Sequence, residues 1–343
     1  MAYERRWETR RRGGRSAGDE ARESYYGVPV IHRAPWRWEI PTYFFLGGIA
    51  GASYVIAGIA HVFGGDEERP VVRAGRYLSL AALIPSPILL ILDLGRPERF
   101  HHMLRVFKVR SPMSVGTWGL VVFGAFSTLS ALIQAAEDGL FGRGTLVARL
   151  LLRLPSRAIA FLGQFPAFFV SGYTGVLLAA TAVPLWTRNY LLMGPLFLAS
   201  ALSNALAAIT LILTVAGRTS HRSLRRLERF ETVVMGVEAL LLAALRLNSG
   251  KTIARPMHEG RLGRIYRVGV LGTGLGLPLL VQAPGAWLGR RLPRGVTVLA
   301  ALLTLIGGAL FRYLIVTAGH RSADDPQATF ELTRARENGS RRS

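Results

Sequence analysis

Six residues place polar chemistry inside sequence that is otherwise apolar, and their types limit what they can do. Asp93 closes an apolar run and is followed by Gly95, Arg96 and Pro97, while Glu238 lies within VVMGVEALLLAAL and Arg312 within GGALFRYLIV. Gln164, Asn204 and Tyr173 are uncharged but lie just as deep. A carboxyl group can pass a proton, a guanidinium carries a fixed charge, and a phenol or amide positions a ligand by a hydrogen bond. Asp93, Glu238 and Arg312 are therefore the candidates for proton handling. The bland alternatives are an ion pair between Glu238 and Arg312 that pins two helices, a local pair between Asp93 and Arg96, and a packed Tyr173 with one hydrogen bond.

What is missing is equally informative. The chain has no cysteine, so it supplies neither a disulfide nor thiolate ligands for an iron–sulfur cluster. A b-type haem needs axial ligands, usually histidines, at membrane depth. The seven histidines, His32, His61, His101, His102, His221, His258 and His320, fall in tails, connectors or span edges. No carboxylates and histidines share the spacing of a metal site. Neither haem nor an iron–sulfur cluster is expected in this chain.

The elements that must position these residues are read from hydropathy. Half of the 343 residues are apolar and only 18% are charged. A bilayer core of about 30 Å needs roughly 20 apolar residues of helix. Eight stretches qualify: 40–63, 74–95, 114–136, 158–186, 190–216, 230–248, 266–288 and 293–318. None shows the alternating pattern of an outer-membrane barrel. The expected fold is an all-α, multi-pass bundle of about eight transmembrane helices, a number that allows two four-helix halves. Gly47 with Gly51 and Gly48 with Ala52 allow close approach in the first span, and Pro85, Pro87 and Pro166 should kink the second and fourth.

Around the spans lie a polar tail over 1–37, with Arg5, Arg6, Arg10, Arg11, Arg12 and Arg15, and a second over 320–343. No apolar region follows those arginines directly, so they do not read as a signal peptide. Trp36 and Trp38 look like interfacial anchors. The net charge of +21 would suggest nucleic acid in a soluble protein. Here the arginines sit in tails and loops, where they meet lipid headgroups instead, and no nucleic-acid partner is expected. An even number of spans puts both tails on one side. A secondary transporter using Asp93, Glu238 and Arg312, or a purely structural anchor, would share all of these features.

Two segments separate these readings. WEIPTYFFLGGIAG from Trp38 to Gly51, and the run Leu92 to Ser114 containing LDLGRPERF and SPMS, with Gly116 and Trp118 after it, resemble the polysulfide-reductase NrfD family. SGYTGVLL around Tyr173 adds to the likeness. The resemblance implies a prokaryotic cell-membrane subunit of a respiratory oxidoreductase. It would carry no haem and exchange electrons between quinone or quinol (menaquinone or ubiquinone) and a ferredoxin-like iron–sulfur subunit. A molybdopterin catalytic subunit often lies beyond, so the catalytic centre is a partner's. Carried over by position, the quinone pocket takes Tyr43, Asp93, Arg96, Trp118 and Tyr173. Where the family's best-known pattern has a histidine, Tyr43 stands; it can donate a hydrogen bond but cannot take up a proton near neutral pH. Asp93 then becomes the proton carrier, with Arg96 orienting it or facing the partner, and Glu238 and Arg312 extending a proton path.

Overall fold

The computed structural model describes residues 31, 34–142, 144–217, 220–288 and 292–340, with side chains to residue 333. Arg5, Arg6, Arg10, Arg11, Arg12 and Arg15 of the first tail, and His32, lie outside the described residues. Among these residues there is no strand, and the chain is a multi-pass integral membrane protein. Its main helices are α1 Glu39–Phe63, α2 Arg69–Leu83, α3 Pro85–Asp93, α4 Pro112–Glu137, α5 Leu146–Leu152, α6 Ser156–Leu162, α7 Gln164–Ala179, α8 Pro184–Arg188, α9 Tyr190–Ala216 and α10 His221–His258. A short α11, Gly260–Arg264, leads into a π-helical segment, Ile265–Gly276, then α12 Leu277–Leu288, α13 Arg294–Asp324 and α14 Pro326–Ser340.

Seven helical stretches among the described residues are long and apolar enough to cross a membrane. The expected sixth span, 230–248, is not among them although it is helical throughout. Glu231, Glu238 and Arg246 lower its apolar character. Both glutamates are buried against other helices, so α10 nonetheless packs into the bundle beside α9, α12 and α13. The charge that weakens its hydropathy is hidden from lipid.

Proline and glycine set the breaks. Pro85, which has no N–H to give, interrupts the hydrogen-bond ladder and divides the second span into α2 and α3 at Ile84, which itself keeps helical dihedrals. The fourth span breaks at Gly163, just ahead of Pro166, and ends at Ala179 rather than 186, because Thr181 to Val183 form a turn capped by the Thr181 hydroxyl on Leu178. Gly250, at φ 68°, interrupts α10.

At the centre stand α1 and α9, each with 78% of its apolar window buried, against 33% for Gly260–Leu288. One side of α1 meets Ala201 of α9 through Gly48, and the other meets Ala167 and Ser171 of α7 through Gly51. Small residues permit this approach, since dispersion between closely packed helices is the main attraction in lipid. The larger of two apolar clusters joins Ile40 and Phe44 to Phe197, Phe311 and Leu314, so early and late helices share one interior.

Two terminal expectations change. Trp38 is 63% exposed, as an anchor would be, but Trp36 turns inward and stacks on Trp186 at 5.6 Å. The polar stretch after His320 is helical, and Ala328 and Leu332 of α14 are buried against the bundle. Chain direction places the starts of α1, α4 and α9 and the end of α3 on one face, here called the pocket face. The ends of α1, α4 and α9 and the start of α10 mark the far face.

Candidate functional site

The pocket-face site is assembled from four helix ends. Ser111 caps α4, its hydroxyl accepting the Ser114 N–H, and Pro112 occupies the first turn, where its missing N–H is no loss. Ser114 then ties down the preceding loop: its hydroxyl donates to the Val106 carbonyl and accepts from the Lys108 N–H at 3.0 Å. The Ser-Pro-Met-Ser run thus fixes the start of α4 against its own connector. The Tyr173 hydroxyl donates to the Pro112 carbonyl, its ring stacks on Phe169 at 4.5 Å, and it packs against Gly116. A Cβ on Gly116 would fall 2.5 Å from the Tyr173 ring, so only glycine lets α4 and α7 meet there.

Tyr43, one turn into α1, is 6% exposed and within electrostatic reach of the Tyr173 phenol. Its ring passes Gly47, with the Ser86 hydroxyl of α3 on the same spot. At the end of α3 the Asp93 carboxylate accepts the Arg37 backbone N–H and feels the charges of Glu39 and Arg37. Glu39 has one carboxylate oxygen buried without a partner. The Trp118 indole N–H is likewise buried and unpartnered, with its ring against Phe107 at 6.3 Å.

Tyr43, Asp93, Trp118 and Tyr173 are therefore brought to one end of the bundle. Arg96 is not joined to Asp93: it is exposed and forms no ion pair among the described residues. Glu238 and Arg312 lie apart, in the second half of the bundle, and do not form the expected direct ion pair. Glu238 is held by the Ser200 and Ser203 hydroxyls, with Arg312 in electrostatic reach only. The Arg312 guanidinium sits over the Phe197 ring at 4.3 Å and the Phe311 ring at 4.9 Å, donating to the Phe197 carbonyl at 3.2 Å. Gln164, at the start of α7, donates to the Ala160 carbonyl of α6 across the break at Gly163, a packing role.

Among the charges that the sequence reading passed over, two are buried inside spans and a third, Glu39, is half-buried. Arg76 is 3% exposed and donates to Gln134 at 3.1 Å, facing Glu137 at 3.6 Å. Glu231 is fully buried against Gln282. Glu39 sits at the threshold of α1. Arg76 and Glu231 lie one or two residues inside the expected spans, where a charge reads as a span edge; their helical spacing from Ser79 and from Glu238 was the available signal. Among the described residues no group of three or more histidines, aspartates and glutamates could hold a metal ion.

Over 328 residues the chain is 29% identical to the protein NrfD homolog of Haemophilus influenzae, covering 85% of this chain and 97% of that one. It is 23% identical over 327 residues to the C subunit of the selenate reductase of Mesobacillus selenatarsenatis, covering 82% and 73% respectively. The family described as polysulphide reductase, NrfD, matches residues 29–322, which include every helix end that builds the pocket-face site, and the chain belongs to that family.

Proposed function

We propose that this chain is the membrane subunit of an oxidoreductase complex in a prokaryotic cell membrane, and that it exchanges electrons between a quinone and an iron–sulfur partner. The likeness to one subunit of a selenate reductase supports membership of such a complex. The observation that carries the quinone part is the convergence of unspent polar groups at one membrane edge. The buried Trp118 N–H has no partner, and Glu39 keeps an unpaired carboxylate oxygen beside Asp93. An unmade hydrogen bond in a buried site is costly; the Trp118 N–H fits a quinone carbonyl oxygen, and the Glu39 oxygen fits the hydroxyl of the quinol form.

When bound, a quinone supplies two-electron, two-proton chemistry that no side chain here possesses. Trp118 and Tyr43 donate hydrogen bonds to its head, and Tyr173 does so by exchanging its Pro112 partner. Asp93 takes or gives the proton at the pocket face, held in place by the Arg37 N–H. The aliphatic row Ile84, Ile88 and Leu92, exposed on α3, offers the tail a lipid-facing track. Beyond Asp93, the connector carrying Arg96, Arg99, Arg105 and Lys108 with exposed Phe100 and Phe107 presents charge and apolar surface to an iron–sulfur subunit, with a molybdopterin subunit behind it.

The test is purification of the complex and assay of quinol-linked electron transfer. Asp93→Asn should lower turnover by roughly 100-fold, the usual weight of a positioned acid–base group. Tyr43→Phe should raise the quinol concentration needed for half-maximal rate, with the partner still bound. Unaltered kinetics in both variants, with the complex intact, would remove the pocket as described.

A further inference from the structure

The charged residues at the start of α10 fall into two rows. Arg222, Arg226 and Arg229 are spent: they reach Glu67 at 3.4 Å, Glu68 at 2.6 Å and the Ala286 carbonyl at 2.7 Å. These bonds tie α10 to the connector between α1 and α2 and to the end of α12. One residue back, His221, Arg225 and Glu228 stand at i, i+4 and i+7, which is a second face of the helix. All three line a cavity of about 340 Å³ at the far face, the size of a small-ligand pocket. Arg225 forms no ion pair among the described residues, although Glu228 lies within its electrostatic reach.

The other walls supply matching groups. α13 starts at Arg294 behind Pro293, and no side chain caps its first amides. Arg294 is exposed at the cavity rim and also forms no ion pair among the described residues. Thr214, at the end of α9, lines the same cavity; it is 8% exposed, and its hydroxyl has no hydrogen-bond partner. Leu213, Leu224 and Leu292 make the rest of the lining apolar. Trp287 is exposed two residues past Gly285 of the α12 wall, and an exposed tryptophan at a helix end marks headgroup depth. Deeper in the bilayer, Leu280 of α12 and Leu299 and Leu302 of α13 are exposed.

We propose that this cavity seats the headgroup of one phospholipid that carries a primary amine beside its phosphodiester. Two guanidinium groups without carboxylate partners and the uncapped start of α13 converge on the phosphodiester. The Thr214 hydroxyl adds a neutral donor. Glu228 selects the class of headgroup. A headgroup bearing phosphate alone sets its charge against this carboxylate, whereas an ammonium on the same headgroup pairs with it. The acyl chains lie along Leu280, Leu299 and Leu302. A lipid held there fastens α9, α10, α12 and α13 at the face opposite the quinone pocket, and it depends on no step of the quinone reaction.

The test uses the purified complex, stripped of lipid by detergent exchange, with binding read by native mass spectrometry. Dioleoyl phosphatidylethanolamine, dioleoyl phosphatidylglycerol and inorganic phosphate are the probes. The parent should prefer the ethanolamine lipid by roughly 10-fold, the weight of one hydrogen bond to a charged group. Excess inorganic phosphate should not displace that lipid. Arg225→Gln and Arg294→Gln should each weaken both lipids by roughly 10-fold, for the same reason. Arg294 is exposed, so its replacement leaves the packing intact. Glu228→Gln should level the two lipids. Parent-like binding in both arginine variants overturns the site. A parent that does not distinguish the two lipids, or a preference that survives Glu228→Gln, overturns the role of the amine. Displacement by inorganic phosphate makes this a site for free anions and overturns the lipid.

Discussion

Two columns of buried polar groups run through this bundle, and they are finished differently. In the column of α1, α2 and α4 donors meet acceptors except at the Ser53 hydroxyl: Arg73 and Tyr77 both reach Asp138, at 2.8 and 2.7 Å, and Gln134 joins Asp138 to Arg76. Deeper in, Ser79 bonds Ser127 at 2.9 Å and Tyr54 bonds Ser130 at 3.1 Å. In the column of α9, α10, α12 and α13, Glu231, Gln282, Asn204 and Arg312 all keep unpartnered atoms. Leaving a buried polar atom unpaired costs about 1–3 kcal/mol. A closed network is therefore glue, binding helices where lipid offers no hydrophobic drive, while an open one is arranged for something that comes and goes.

The sharpest way to break this contrast is to remove the crossing that shapes the open column. Gly307→Ala puts a methyl group into the Gly274 backbone, and the helices must part. The expected loss is about 3 kcal/mol or more, seen as poor yield and a lowered thermal midpoint of the purified complex. A parent-like midpoint would mean that the crossing is loose and the small cavity that Gly274 and Gly307 share with Glu238 misdrawn. Next in size is the closed column. Asp138→Ala strands Tyr77, Gln134 and Arg73 at once and should cost about 2–3 kcal/mol, since hydrogen bonds to a charged group are lost. Protons moved per electron, read with the complex sealed in vesicles, should not change; a changed ratio would make this column a conductor.

The sequence announced the helices because lipid makes length and hydropathy decisive. It announced the pocket-face residues because Asp93, Tyr173 and the Ser-Pro-Met-Ser run lie in distinctive local sequence. It could not announce the open column, which depends on partners 51 residues apart in Glu231 and Gln282 and on a π-helix that no local pattern marks. α10 was the hardest span to read for the same reason: its glutamates look like breaks in an apolar run until their burial is seen. The bland reading of Glu238 and Arg312 as a direct ion pair is not what the fold makes: serines and aromatic rings stand as their nearest partners.

Glu238→Gln sharpens the comparison from the other side. The amide keeps the size of the carboxyl and can still bond Ser200 and Ser203, so stability should stay within about 1 kcal/mol of the parent. The sequence marks Glu238 for proton handling, and the proton ratio should fall, because an amide cannot accept and release a proton. A large drop in stability with an unchanged ratio would convert Glu238 from a relay into a strut.

The smallest expected effect is the most discriminating. Asn204 donates to the Ser200 carbonyl within its own helix, and its carbonyl oxygen is bonded to nothing, facing the cavity beside Glu238. Asn204→Ala removes one local hydrogen bond and one unpaired acceptor together, two changes of opposite sign that should leave stability within about 1 kcal/mol. It also enlarges a space with room for a single water, so proton movement should persist while its dependence on the driving potential shifts. The thermal midpoints of Asn204→Ala and Asp138→Ala, measured side by side, decide whether the two columns differ. Equal losses would show that Asn204 is as firmly bonded as Asp138, and that water has no seat there.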